Sequence, residues 1–376
     1  MPVSVRRIAF VTTEYPPHLG GAARSAQRLV RGLSNAGHDV VVFGTPSPRR
    51  PAETLPTSDG RVRVHWLPSS DEEARQLIAR EDALRPFDLF HGFTLPAARP
   101  CLGVARKQRP VIASIRGVDG LSFDERAMEV LRGCDCVTSV SRDSLARAGA
   151  VVDISTRSVF IPNGVDLDRF DGSWTPTADN DGVIGTVATF RRKKNMPLLV
   201  RSYAALDRAT RRRLLLVGDS YDGDTFDPML RRKLDDLLVA LDVASETQIV
   251  GMVDHDRVAE YHRRMRVFAL TSDHEGMPNS VLEAAASGVP IVATAVDGVK
   301  DLLTNGEDAL LVEPRQVQAF TAALRLVLTT PDLAARLSAA GRQTAERLGA
   351  AKERERYLSL YESLLANLSS RAAAPR

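Results

Sequence analysis

Asp273-His274-Glu275-Gly276-Met277-Pro278-Asn279-Ser280-Val281-Leu282-Glu283 follows an apolar strand-like run, Val267 to Thr271, and leads into a helical pattern that continues through Ala286. The stretch therefore reads as strand, loop and helix N-terminus. Pro278 and Asn279 suit a first helical turn or its cap, and the N–H groups from Asn279 to Val281 would face whatever sits at the carboxyl end of the strand. A helix N-terminus favours anions, phosphate oxygens among them. Glu275 would project from the loop while Glu283 lies about two turns into the helix, so the carboxylates reach different parts of one extended ligand. Carboxylates pair well with sugar hydroxyls. The plainer reading is a capping acid followed by an ordinary helical glutamate, and for two glutamates alone that reading is preferred.

The same strand-and-helix alternation extends outward in both directions. Ile8 to Thr12 and Val40 to Gly44 read as buried strands flanking an amphipathic helix, and further strands are expected at Val62 to Leu67, Leu89 to His91, Val111 to Ile115, Cys136 to Val140 and Ser158 to Ile161. A polar passage, Asp171 to Asp181, reads as a linker. The pattern then resumes at Gly182 to Ala188, Arg213 to Gly218, Gln248 to Val250, Val267 to Thr271, Pro290 to Ala293 and Ala309 to Val312. Repeated crossovers imply parallel, doubly wound α/β sheets. With 376 residues, against roughly 100 to 200 per domain, two domains are expected, at 1–170 and 171–351. A last amphipathic helix, within 352–370, would pack either on the first domain or on the second.

Composition narrows the function. Fifty basic residues against 47 acidic give a formal charge of +3, without the basic excess of a nucleic-acid binder. The cysteines Cys101, Cys134 and Cys136 form neither a disulfide framework nor a metal spacing, which fits a reducing cytoplasm. The opening MPVSVRRIAF carries no apolar signal region, and no run of 18 apolar residues appears, so neither secretion nor membrane spanning is expected. Asp222-Gly223-Asp224 reads as a turn, and no metal site is expected. Arg24, Arg28 and Arg31 recur at helical spacing, as a solvated face or, alternatively, as a contact with an anionic membrane at its inner face. Trp66 and Trp174 are assigned to packing. His91, at a strand end, reads as structural or catalytic.

Two other segments bear on an anionic ligand. Gly20-Gly21-Ala22-Ala23-Arg24 joins the first strand to its helix, where missing side chains let backbone N–H groups approach a phosphate. It is not the dinucleotide fingerprint, because GxGxxG is absent. Arg191-Arg192-Lys193-Lys194-Asn195 is, as bare sequence, equally a solvated loop.

Taken with its flanks, the Glu275 to Glu283 block resembles the E-x7-E motif of the family 4 retaining glycosyltransferases, in the form EGMPNxxLEA. The resemblance covers nearly the whole chain. Tyr15-Pro16-Pro17 with Gly20-Gly21, Gly37-His38-Asp39-Val40, Ile161-Pro162-Asn163-Gly164-Val165-Asp166, Phe170 and Gly288-Val289-Pro290-Ile291-Val292-Ala293-Thr294 match recurrent segments. It implies the GT-B fold, with two Rossmann-like doubly wound domains facing a central cleft.

The resemblance also implies roles. Glu275 would contact the donor sugar and Glu283 the nucleotide ribose, while Gly276, Met277, Pro278, Asn279, Ser280 and Val281 line sugar and diphosphate. Gly21 would approach the phosphates from the other domain, Lys194 and Arg191 would bind the diphosphate, and Val250, Gly251, Met252 and Val253 would lie at the base. Arg116-Gly117-Val118-Asp119 stands where many members have His-Gly; Arg116 would be donor-binding but cannot accept a proton at neutral pH. The implied reaction is transfer with retention from a nucleotide-sugar, UDP-sugar favoured and GDP-mannose the alternative, in polysaccharide or glycoconjugate biosynthesis. The acceptor is a hydroxyl of a saccharide, a lipid-linked saccharide or a small molecule, met by His91 to Arg99 and Arg116 to Ser122. The nucleotide-sugar is a substrate, and no cofactor is expected. An epimerase or hydrolase on the same scaffold, or a non-catalytic nucleotide-sugar-binding protein, are the alternatives.

Overall fold

A computed structural model of the chain describes residues 5–18, 20–46, 55–117, 123–171, 174–177, 180, 182–220 and 228–373. The chain forms two compact units: Met1–Gly164 with Ala350–Arg376, and Val165–Gly349.

In the first unit the strands are β1 (Arg7–Thr12), β2 (Asp39–Gly44), β3 (Ser58–Asp59), β4 (Val62–Trp66), β5 (Leu89–Gly92), β6 (Val111–Ile115), β7 (Cys136–Ser139) and β8 (Ser158–Phe160), ordered β3-β4-β2-β1-β5-β6-β7-β8. All pairs are parallel except the short β3–β4 hairpin. Parallel strands covered on both faces need apolar side chains at consecutive positions. β1 shows this: Ala9 and Val11 join Val41, Phe43 and Phe90 on one face, and Ile8 and Phe10 join Val40, Val42 and Leu89 on the other.

The second unit holds β9 (Val183–Val187), β10 (Arg213–Val217), β11 (Thr247–Gly251), β12 (Val267–Leu270), β13 (Ile291–Thr294) and β14 (Leu310–Val312), in the order β11-β10-β9-β12-β13-β14. Every ladder in it is parallel. This is the doubly wound order in which the chain starts at the centre, winds one way, and then crosses to wind the other. Ile184, Leu214, Leu216, Val267 and Ala269 carry the core against Leu199, Phe320 and Leu324 from the helices. The doubly wound α/β reading is borne out in both sheets; the two-residue β3 carried no pattern from which to read it.

The units meet along the chain ahead of Asp171–Asp181, at Gly164 and Val165. Val165 N–H donates to Leu348 O at 3.0 Å, Val165 bridges Gly349 in parallel, and Phe170 is 1 % exposed beside His255 and His262. These contacts draw 165–170 into the second unit. Positions 172, 173, 178, 179 and 181 of the polar passage lie outside the described residues.

Helix Ala350–Ala373 returns to the first unit, where Tyr357 and Tyr361, each 1 % exposed, join Phe10, Val30 and Phe93 in the core. Full burial of a large side chain contributes about 1.5–3 kcal/mol. Its buried Glu353 receives Arg28 at 2.9 Å, and Glu362 receives Arg6 at 2.8 Å. Arg31 pairs with Asp59 at 2.6 Å and Arg24 donates to Gln27. On helix Gly21–Asn35, Arg28 and Arg31 are thus paired with carboxylates of the same unit, while the Arg31 side chain stays 53 % exposed. Among the described residues no helix is long and apolar enough to cross a membrane.

Candidate active site

Adjacent parallel strands end at the same edge of a sheet. In the second unit β9 and β12 are neighbours, yet the chain leaves β9 toward β10 and enters β12 only after crossing back. Their carboxyl ends therefore flank the topological switch point, where open α/β sheets leave a crevice. Lys194 comes from the segment after β9 and Glu275 from the segment after β12.

Each segment is shaped by its own residues. Beyond β9 the backbone makes one 3-10 turn, Arg192–Lys194, in which Lys194 N–H donates to Arg191 O at 2.9 Å. Asn195 ends the turn in the left-handed region (φ 45°), a conformation Asn tolerates better than most residues. Its side chain caps helix Met196–Ala204 by accepting from Leu198 N–H at 3.2 Å. The turn is then tied to the other segment: Asp273 N–H donates to Lys193 O at 2.7 Å, Thr271 Oγ1 to Lys194 O at 3.0 Å, and Asn195 Nδ2 to Asp273 Oδ1 at 3.1 Å.

With both backbones fixed, Lys194 Nζ donates to Glu275 Oε1, and Ser272 Oγ donates to the same oxygen at 2.6 Å. Glu275 is 6 % exposed. Burial pushes its carboxyl up, but Lys194, Lys193 and the bonds from Lys194 and Ser272 outweigh burial and hold it below the usual carboxylate range. A buried carboxylate that stays ionised can accept hydroxyl hydrogen bonds more strongly than a neutral group.

Helix Asn279–Ala286 begins behind Pro278 with no side-chain cap bond and no acid in its first turn. Its N-terminal partial charge is not cancelled from within the turn. Met277, Val281 and Glu283 are buried, while Asn279 and Ser280 are partly exposed. Glu283 Oε1 lies 2.8 Å from His255 Nε2. Val250 to Val253, expected at the base, comprise the end of β11 and the start of the loop after it. Gly251, at φ 80°, accepts from Gly218 N–H at 2.9 Å, Val250 and Val253 are half-buried, and Met252 stands 44 % exposed.

The structure brings Lys194, Glu275, Glu283 and the Asn279 helix start to one sheet edge. It joins Lys194 directly to Glu275, whereas Arg191 contributes its carbonyl to the turn. Gly21 and Arg116 belong to the first unit: Gly21 opens helix Gly21–Asn35 after β1, and Arg116 directly follows β6. Arg116 lies over the Phe93 ring at 4.0 Å and donates from Nη2 to Asn163 Oδ1 at 2.6 Å. Val118 to Ser122 and Asp222-Gly223-Asp224 lie outside the described residues.

In the first unit the geometry of His91 agrees with the structural of its two readings, and the segment that follows it departs from the expected loop. His91 is fully buried, with Nδ1 2.7 Å from Tyr361 Oη and Nε2 2.8 Å from Ser114 Oγ. Burial, helped by Arg116, pushes its pKa down to about 3, so it is a neutral structural residue. The segment His91 to Arg99 is not an open acceptor loop, since it finishes β5 and starts helix Leu95–Ala105, burying Leu95, Ala97 and Ala98. Trp66 Nε1 donates to Pro56 O at 2.9 Å and Trp174 Nε1 to Met265 O at 3.1 Å, in keeping with packing roles.

Several residues of the site gave no sign in the sequence. A Cβ at Gly298 would stand 1.8 Å from Gly276 O, and one at Gly218 1.9 Å from Ala188 O. Both glycines, Gly298 within the short helix Asp297–Lys300, let backbone approach the site segments, but an isolated glycine looks the same in sequence whether or not something touches it. Ser272 and His255 matter through partners that only tertiary contact supplies.

Comparison with known proteins agrees with this architecture. The family model described as glycosyltransferase family 4 matches residues 19–169, and that described as glycosyl transferases group 1 matches 174–344. Glycogen synthase of Mycobacterium tuberculosis is 26 % identical over 90 % of this chain and 89 % of its own. The GDP-mannose-dependent alpha-(1-6)-phosphatidylinositol monomannoside mannosyltransferase of the same organism is 27 % identical over 90 % of this chain and 93 % of its own. Among solved structures, sucrose-phosphate synthase from Thermosynechococcus elongatus superposes with a TM-score of 0.82 at 22 % identity, over 96 % of this chain and all (100 %) of that one, a likeness of fold. The chain belongs to the family 4 glycosyltransferases, has the GT-B fold of two Rossmann-like domains, and is a hexosyltransferase.

Proposed function

We propose that the enzyme transfers a hexosyl unit from a nucleoside diphosphate sugar to an acceptor hydroxyl with retention at the anomeric carbon. The observation that carries this reading is Glu275, kept ionised though buried by Lys194 and Ser272 at the switch point, with Glu283 further along the adjoining helix. Glu275 accepts hydroxyl hydrogen bonds from the donor sugar, and Glu283 accepts from the ribose. Lys194, Arg191 and the helix start at Asn279 stabilise the charge that grows on the diphosphate as the anomeric C–O bond breaks. The acceptor oxygen forms its bond on the face the diphosphate is leaving, and its proton passes to a phosphate oxygen. No protein base and no metal enters the scheme. Gly21 and Arg116 complete the donor contacts in the reading carried by the family resemblance.

Uridine is the first choice of nucleotide, on the EGMPN form of the motif. The GDP-mannose dependence named for the mycobacterial relative supports guanosine as the second reading. The acceptor is a hydroxyl of a saccharide, a lipid-linked saccharide or a small molecule.

The test is a screen of UDP-, GDP-, ADP- and dTDP-sugars for binding and slow hydrolysis, followed by NMR of the anomeric proton in the product. Retention is expected, and an inverted product would overturn the mechanism. Glu275→Gln and Lys194→Ala should each lower turnover by roughly 10²–10³, the scale of one lost transition-state donor, with the folded state kept. Near-normal turnover in both would remove the assignment.

A further inference from the structure

The transfer scheme leaves unused a chain of side chains that ends on Glu283. His255 Nε2 lies 2.8 Å from Glu283 Oε1, and His255 Nδ1 lies 2.7 Å from Arg169 Nη1. A guanidinium can only donate, so Nδ1 must accept and the ring must carry its proton on Nε2. That proton is then given to Glu283. The direction of both hydrogen bonds follows from the chemistry of arginine alone.

The ring is held on several sides. Arg169 also pairs with Asp256 at 3.1 Å, and its backbone N–H donates to Asp166 Oδ1 at 3.4 Å. Phe170 meets the imidazole edge-on, with centroids 5.8 Å apart. Glu283 is 9 % exposed on helix Asn279–Ala286, whereas His255 opens the 3-10 turn His255–Arg257 just beyond Met252 and Val253. One imidazole therefore links the segment after β11 to the helix after β12. A glutamate side chain has three rotatable bonds, and fixing one oxygen restricts how the carboxylate can be presented.

We propose that His255, oriented by Arg169, is a positioning residue for Glu283: it sets the carboxylate toward the ribose hydroxyls of the donor nucleotide and couples the base segment to the ribose contact. The inference rests on the reading of Glu283 as the ribose ligand. A histidine that merely staples the turn to the helix would affect binding of every nucleotide alike. A positioning histidine affects the ribose hydroxyls selectively.

The experiment compares, by calorimetry on the full chain, the affinity for the nucleoside diphosphate chosen by the donor screen with that for its 2′,3′-dideoxy analogue. The wild type should prefer the ribo form by on the order of tenfold or more, the scale of a hydrogen bond to a charged group. Glu283→Ala should abolish the preference; if it does not, the ribose reading itself is wrong. His255→Ala should cut the preference to within about threefold, and His255→Gln, whose amide N–H₂ can donate toward Glu283, should restore most of it. Arg169→Gln, which leaves the His255–Glu283 contact in place but frees the tautomer, should fall between, and it serves where His255→Ala does not fold. A full ribo preference in His255→Ala, or in Arg169→Gln where that variant stands in, beside its loss in Glu283→Ala, would overturn the positioning role.

Discussion

A carboxyl group as enclosed as Glu275 would by burial alone drift toward its neutral form, and the lysine beside it reverses the balance. Removing one partner of a buried pair leaves the other charge uncompensated. Lys194→Met should therefore cost about 3 kcal/mol in denaturant unfolding, and adding Glu275→Gln to it should recover much of the loss. The pH response has a definite sign. The folded pKa of Glu275 lies below its ordinary 4.5, so its contribution to stability is present above that value and is lost as pH falls through the depressed folded value. Acid unfolding curves should thus be less steep below pH 4.5 for Glu275→Gln than for the wild type. At this scale the sequence showed Glu275, Glu283 and Lys194 through their motif surroundings. Ser272 and His255 were hidden, because a serine or histidine takes its meaning from the atom it faces.

Elements were more legible than contacts. Strand positions follow from runs of β-branched and aliphatic residues, which is why β9 to β14 appear where the pattern placed them. The turn Arg192–Lys194 did not, since four successive cations read as a solvated loop until Asn195, Thr271 and Asp273 pin them. Gly298 is the test of how closely these segments are fitted. Its added Cβ would collide with backbone at Gly276 and Glu275, at 1.8 and 2.6 Å, and backbone cannot swing aside as a side chain can. Gly298→Ala should lower stability by roughly 1–3 kcal/mol and weaken nucleotide-sugar binding more than tenfold, measured by thermal unfolding and calorimetry on the same sample. Wild-type affinity would show that the Glu275–Pro278 segment tolerates displacement.

For the whole molecule, alternation of strands and helices gave the count of sheets, but periodicity could not choose a partner for the last helix. An amphipathic face states that it is buried, not where. The answer lies in Tyr357 and Tyr361, which complete the core beside Phe10, and in Glu353, which meets Arg28. Ending the chain after Gly349 should strip these contacts from the first unit alone. Limited proteolysis should then cut within 1–164 while the fragment 165–349 stays resistant, and equal susceptibility of both would contradict the assignment.

The bridge between Val165 and Gly349 has a consequence for how the protein comes to be. It brings the two ends of the second unit together, so that unit is an uninterrupted insertion within the first. On the ribosome the sheet translated first, all of whose strands lie before Gly164, is therefore the one whose core is completed last. Its Ile8 and Phe10 face, covered early only by Ala26, Leu29, Val30 and Leu33 of helix Gly21–Asn35, stays partly open until the second unit has been synthesised and Tyr357 and Tyr361 emerge, which makes that apolar face the natural object of chaperone attention during synthesis.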